Sequence, residues 1–471
     1  MTPRHIACAL IAFAIASTTL AADLDANQAK AREIYARVIS IPSQLGNDKV
    51  PEVAQYLAGE FKAAGFPADD IHILPFKGDG NNTASLVVRY RGNGKSGLKP
   101  ILIIAHMDVV KAKREDWVRD PFTLTEENGF FYGRGTFDDK QGVTAVAATF
   151  LRLKAEKFVP TRDLILCFSG DEETAQDSTA DTAKNHRDLI DAEFALNADA
   201  GGGVLDEQTG KALYFTLQTA EKYYADFTVT THNQGGHSSQ PRADNAIFDI
   251  AAAIDKLRAL RLPVMSNETT IAQLKAASAR TPGELGKAFA AFAANPKDEA
   301  AANVIWNDPA YVGLTRTTCI PTMIDGGHAP NALPQTVKLN VNCRIFPGHK
   351  LEDVLHSLQE AVGKNAEVKV FGTPLSSDPS PLRKDVMDAV ARAIKTIQPD
   401  APVVPGQISG ATDGLVYRSV GIPTYGVDGN FMKASEDFSH GLNERLSTKS
   451  FYDSLTYWHA LLKDLSSRGK R

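Results

Sequence analysis

The stretch "DLILCFSGDEETA", residues 163–175, runs an apolar segment from Leu164 to Phe168 into a glycine and then sets Glu172 beside Glu173. A short apolar run closed by a turn signal reads as a buried strand. Adjacent carboxylates at its end repel, so their pairing needs a reason. One reading is a helix N-terminus, where acids are favoured by roughly 0.3–1 kcal/mol each. The other is a metal site, where cations offset the repulsion.

Similar runs lie on either side: "ASLVVRYRG" (84–92), "PILIIAHMD" (100–108) and "AEFALNADA" (192–200), alternating with helical periodicity as in "KQGVTAVAATFLRLKAE" (140–156). That alternation predicts an α/β fold, a mostly parallel sheet with helices on both faces. The pattern changes after Leu217 and returns after Pro374. We therefore expect a catalytic domain formed by residues 23–217 and 374–471. A smaller α+β lid of the dimerisation type is inserted at 218–373, with an alanine-rich helical insertion at about 265–312.

The 471 residues, 43% hydrophobic and 23% charged with a formal charge of −5, describe a soluble globular chain and give no sign of nucleic-acid binding. Residues 1–22 carry Arg4, an apolar run from Ile6 to Ala16, and small residues at Ala21 and Ala22. They read as a signal peptide, too short for a membrane span. The mature protein is expected to be periplasmic or secreted and free of the membrane after cleavage. Cys167 reads as a buried thiol, while Cys319 and Cys343 fall on two strand-like runs that a hairpin would bring together. In an exported protein that pair is a candidate disulfide.

Potential metal ligands recur where strands end. His106 and Asp108 close one run, Glu172 and Glu173 the next, and Asp199 the third. In open α/β sheets ligands bind beyond the carboxyl ends of the strands. Asp138, in the turn "GRGTFDDKQG" (133–142), can reach the same crevice. Two nearby cations let neighbouring carboxylates take different tasks, one binding metal and one moving protons. A ligating imidazole also needs an outer partner, which the His-x-Asp pair supplies, although strand geometry leaves Asp108 open as a ligand itself.

These motifs, in order, resemble the dinuclear zinc amidohydrolase and metallopeptidase family of carboxypeptidase G, aminoacylase and succinyl-diaminopimelate desuccinylase. The matches are His106-x-Asp108, Gly133-Arg134-Gly135-x-x-Asp138, Glu172-Glu173, Asp199, and His440 with an Asn-Glu soon after it. The pattern is most similar to Gly-Xaa carboxypeptidase and N-acyl-amino-acid hydrolases. The resemblance implies two zinc ions, with cobalt or manganese as substitutes. His106 and Asp199 hold one, Glu173 and His440 the other, and Asp138 bridges them. Asp108 would orient His106, and Glu172 would be the general base. His237 in "GGHSSQP" would polarise the scissile carbonyl, with Asn331, Arg344, Ser409, Gly410 and Thr412 binding substrate.

Asp139 stands next to Asp138, which is preferred by motif register, and Gln141 occupies a position where the family commonly has glycine. Arg134 reads as structural. Glu436 and Asp437 are either outer partners of His440 or surface acids, and His232, His328 and His349 read as solvated. The resemblance also implies a possible homodimer, with the helical insertion placed to obstruct it. The expected activity is that of an exported carboxypeptidase or dipeptidase cutting an amide beside a free carboxylate. An N-acyl-amino-acid hydrolase is the alternative, and an aminopeptidase or a non-enzymatic binding protein fits less well.

Overall fold

The computed structural model describes residues 24–78 and 81–467, so the expected signal peptide lies outside the described residues. The central sheet orders its strands as Ile71–Gly78, Asn81–Tyr90, Leu164–Ser169, Ile101–His106, Phe194–Asn197, Thr424–Gly426, Ala212–Glu221, Gly202–Leu205 and Phe431–Met432. Val403–Ile408 joins Ala212–Glu221 in parallel. The strands from Leu164 to Gly426 in that order are mutually parallel. Ile101–His106 and Leu164–Ser169 are buried at every position, which explains their unbroken apolar character.

Helices cover both faces. The core on one side gathers Ile34, Phe61, Phe150, Phe451 and Trp458; Leu102, Ile104, Cys167 and Tyr417 pack on the other. Ala212–Glu221 continues past Leu217, so the first part of the central sheet ends at Glu221 and Tyr223 begins the next sheet.

That second sheet is antiparallel, ordered Thr318–Gly326, Thr336–Ile345, Tyr223–His232 and Ala366–Phe371. Helices Ala246–Ala259 and Leu351–Val362 bury its inner face around Phe227, Val341 and Leu358. Cys319 and Cys343 stand directly opposite each other and are joined as a disulfide.

The alanine-rich segment forms helices Glu268–Ser278, Gly283–Ala294 and Glu299–Trp306 around its own core of Leu274, Phe289, Phe292 and Ile305. Asn267 and Asp298 cap two of them, their side chains accepting from the N–H groups of Thr270 and Ala301. The segment docks on the edge of the central sheet, where Asn267 Nδ2 donates to Gln407 (2.8 Å) and Thr219 bonds Thr269 (2.6 Å).

Candidate metal centre

Each acid of the cluster leaves a strand or turn at the carboxyl edge of the central sheet. His106 is the last residue of its strand, Glu172 and Glu173 follow Ser169, and Asp199 follows Asn197. Asp138 precedes the helix Lys140–Ala155 by one residue, Asp139, and the peptide between the two acids is cis. Gly142 lets that helix pack against Asp139, because a Cβ there would lie 2.2 Å from Asp139 Oδ1.

Asp138 faces two histidines. Its Oδ1 lies 3.0 Å from His106 Nε2 and its Oδ2 3.0 Å from His440 Nε2. His106 Nε2 is also 3.5 Å from Asp199 Oδ1, and His440 Nε2 3.0 Å from Glu173 Oε2. Ligand atoms of His106, Asp139 and Asp199, and of His106, Asp138 and Glu173, cluster within 4.8 Å. Asp139, the alternative at this turn, accepts the His106 backbone N–H with Oδ2 (3.2 Å), while its buried Oδ1 has no hydrogen-bond partner among the described residues.

Asp108 accepts the N–H groups of Glu172 (3.2 Å) and Glu173 (3.1 Å), so one carboxylate fixes the turn that carries both glutamates. His106 Nδ1 is 3.5 Å from Asp108 Oδ1 and 3.0 Å from the Asp108 backbone oxygen. Glu172 accepts from Gln176 Nε2 at 3.1 Å.

The cluster concentrates negative charge in a poorly hydrated space. Burial and then Asp199 push Glu172 well above the usual carboxylate range. Burial likewise raises Asp199 to about 6. Against the opposing effect of burial, hydrogen bonds from His106 and His440 hold Asp138 low. Burial opposes a charge on His106, yet Asp199, Asp108 and Asp138 raise it well above its ordinary value. Two imidazoles and several carboxylates, one of them with an unpartnered buried oxygen, are the donor set that divalent cations take.

The surrounding residues explain several expectations. Gln141 donates to Asp428 (2.9 Å), which Asn430 also contacts, and burial raises Asp428 to about 7. Ser169 donates to Asp413, also raised to about 7 by burial. Neither acid was singled out in the sequence: Asp413 directly follows Thr412 in the expected substrate loop, and Asp428 lies in a loop without motif spacing. Arg134 pairs with Glu444 and is structural. Asp437 accepts from Ser439 and Glu436 from the Lys433 N–H, and among the described residues neither has a hydrogen bond or ion pair to His440.

On the smaller sheet's side, His237 lies in a two-residue strand paired with Ala332, and its Nδ1 is 2.8 Å from Ser239 Oγ. The Ser238 N–H donates to the Asn331 oxygen (3.0 Å), so His237 and Asn331 are neighbours. Among the described residues, no hydrogen bond or ion pair joins them to the acid cluster. Arg344 lies over the Tyr224 ring at 5.0 Å and reaches the Ser409 carbonyl at 3.5 Å.

Ser409 and Gly410 are exposed, but Thr412 corrects its expected role. It is buried; its hydroxyl donates to Glu221 (3.1 Å) and accepts from Asn197 (3.2 Å), so its side chain braces the loop. His349 is a second correction: it is buried against the Thr317 hydroxyl (2.8 Å), and burial lowers its basicity, whereas His232 and His328 are exposed.

An acid–histidine cluster of this make-up at the carboxyl ends of parallel strands defines a dinuclear metallohydrolase. The chain belongs to peptidase family M20/M25/M40, whose model matches residues 102–464. It is 26% identical to the human N-fatty-acyl-amino acid synthase/hydrolase PM20D1 over 380 residues, 78% of this chain and 74% of that protein. Its fold is similar to that of an M20 family metallo-carboxypeptidase, Sso-CP2 of Sulfolobus solfataricus (TM-score 0.69, 18% identity, covering 93% of this chain and 99% of that one). It is also similar to a dinuclear metal-binding peptidase of Bacillus subtilis (TM-score 0.58, 11% identity, covering 93% and 98%).

Proposed function

We propose that this enzyme is an exported, zinc-dependent carboxypeptidase or dipeptidase that hydrolyses an amide next to a free carboxylate. His106 and Asp199 would hold one ion, Glu173 and His440 the other, and Asp138 both. The observation that carries this division is Asp138 itself, which presents one oxygen to each histidine. When bound, two such ions supply Lewis-acid polarisation and a water acidic enough to attack at neutral pH.

The chain's own residues do the rest. Glu172, kept basic enough by its buried acidic surroundings, accepts the proton from the attacking water and delivers it to the leaving amine. Asp108 holds the glutamate turn and His106 in register. His237 would stabilise the oxyanion from the lid, a contribution of about 3–4 kcal/mol for a single donor in other hydrolases. That step requires the lid to close on the acid cluster or a second chain to supply the histidine. Arg344, over Tyr224 and beside Ser409, would bind the substrate carboxylate.

A second reading, N-acyl-amino-acid hydrolysis, is favoured by the similarity to PM20D1. The two readings share the leaving amino acid and differ in the acyl half. Incubating the metal-loaded protein with free-acid dipeptides, their C-terminal amides and N-acyl amino acids, and reading released amine, tests both. Free acids should be cleaved and amides spared. Equal cleavage of amide and free acid would favour an aminopeptidase instead.

A further inference from the structure

Lys222 sits where the chain leaves the central sheet for the smaller one, and its side chain is buried completely. Its N–H donates to the Ile408 carbonyl (3.1 Å), which ties this junction to the strand that leads into Ser409. The ammonium donates to the Thr318 hydroxyl at 3.2 Å, and among the described residues no carboxylate pairs with it. Thr318 stands directly opposite Arg344 in the sheet. A Cβ on Gly313 would lie 3.2 Å from Lys222 Nζ and 2.4 Å from Ser409 Oγ, so amine and hydroxyl border the same bare glycine.

The described residues set against Lys222 are neutral, cationic or engaged elsewhere. Arg344 faces it from the neighbouring strand, Thr318 and Gly313 carry no charge, and Glu221 turns away to Arg418 and Thr412. Burial, and then Arg344, pull the amine down to about 7. A buried cation with no counter-charge is unfavourable, so the arrangement is incomplete until an anion arrives. The exposed Ser409 and the guanidinium of Arg344 are where an anion would land.

We propose that Lys222 is a second cation of the carboxylate site, held behind Arg344, and that it selects substrates bearing a free carboxylate. This rests on the functional reading above. Lys222 is a positioning and specificity residue that acts through the field on the docked carboxylate. The carboxylate supplies the missing counter-charge, and above pH of about 7, where the amine of the empty site is largely neutral, Lys222 takes up a proton from solvent as the carboxylate binds and returns it when the product leaves. The sign follows: below pH of about 7 the amine is already charged, and as pH rises further the empty site loses its proton, so free acids bind less tightly.

The test compares a free-acid substrate with its C-terminal amide on the metal-loaded parent, Lys222→Met and Lys222→Arg. In Lys222→Met the free-acid to amide ratio of kcat/KM should fall at least about tenfold, mainly through KM. Lys222→Arg, charged at all these pH values, should keep the ratio and flatten the rise of free-acid KM between about pH 6.5 and 8.5. For the parent, calorimetry in buffers of differing ionisation enthalpy should show more proton uptake with a carboxylate inhibitor than with its amide. If the parent prefers free acids but Lys222→Met keeps that ratio, or if the parent's uptake is the same for both ligands, Lys222 has no such role and the carboxypeptidase reading stands. If the parent shows no preference for free acids, that reading falls and this inference falls with it.

Discussion

Arg134 and Glu444, 310 positions apart in sequence, form a fully buried ion pair with Nη1 and Oε2 2.7 Å apart. Glu444 also accepts the N–H groups of Gly135 (3.1 Å), Phe137 (2.8 Å) and Asp138 (3.1 Å), while Arg134 donates to the Gly441 carbonyl at 3.0 Å. One carboxylate thus shapes the turn that aims Asp138, and its partner anchors the loop that carries His440. His440 itself holds a left-handed backbone (φ 60°), a conformation that persists only when its surroundings enforce it. Glu444→Ala leaves a buried guanidinium unpaired and should cost about 3–5 kcal/mol in urea unfolding. It should also weaken metal binding. Adding Arg134→Met should recover part of the stability, and a double variant less stable than Glu444→Ala would contradict this account.

Glu172 and Glu173 are neighbours in sequence with different surroundings. Glu173 meets His440 at 3.0 Å, whereas Glu172 meets Gln176. Glu172→Gln should keep both metal ions and lower kcat by roughly a thousandfold, in the range for loss of a positioned base. Glu173→Gln should lose metal at one site. Metal content per chain separates them, and the reverse pattern would exchange the two roles.

Chelation should abolish turnover, and zinc or cobalt should restore it at about two ions per chain. Hydrogen bonds to Asp138 and Glu173 raise His440 to about 10, so a proton competes with the incoming cation at neutral pH. Rebinding should therefore tighten from pH 6.5 to pH 8. Retained activity in fully demetallated protein would defeat the dinuclear reading.

The groups at strand ends were legible because the signal is local: an apolar run buried on both faces, then a candidate ligand at its last residue, as at His106, or within a few residues beyond it, as at Asp199 and Glu173. Thr412 and His349 were misread because their surroundings come from distant segments. Thr412 meets Glu221 and Asn197 across the sheet, and His349 meets Thr317. The partnership of Glu444 with the Gly133–Asp138 turn is invisible for the same reason, although its glutamate belongs to the motif around His440. The Cys319–Cys343 pairing depends on hairpin register, which shifts only after Pro321 in this sheet and leaves the cysteines opposed.

That disulfide predicts a simple mass result. In denatured protein lacking residues 1–22, alkylation without reductant should label Cys167 alone, and reduction should add two further labels. Three labels without reductant would show the pair to be open. Replacing both cysteines with serine should cost roughly 3 kcal/mol, the usual scale for closing a loop of this size.

Arg344 gives the sharpest test of substrate class. Its guanidinium lies over Tyr224 and reaches the Ser409 carbonyl, a placement that leaves a planar fork beside an exposed loop. Such a fork matches a carboxylate through two parallel hydrogen bonds, which an ammonium cannot reproduce. Anchoring the carboxylate also orients the scissile amide, so the loss should extend beyond binding. Arg344→Met should lower kcat/KM on a free-acid substrate by roughly a hundredfold, about 2.7 kcal/mol, with metal content unchanged. Arg344→Lys should recover less than about a tenth of the lost activity, because it restores the charge without the fork. A C-terminal amide, already poor with the parent, should lose little more in either variant. If Arg344→Met instead slows both substrates equally, Arg344 serves the closed conformation of the lid and not the carboxylate.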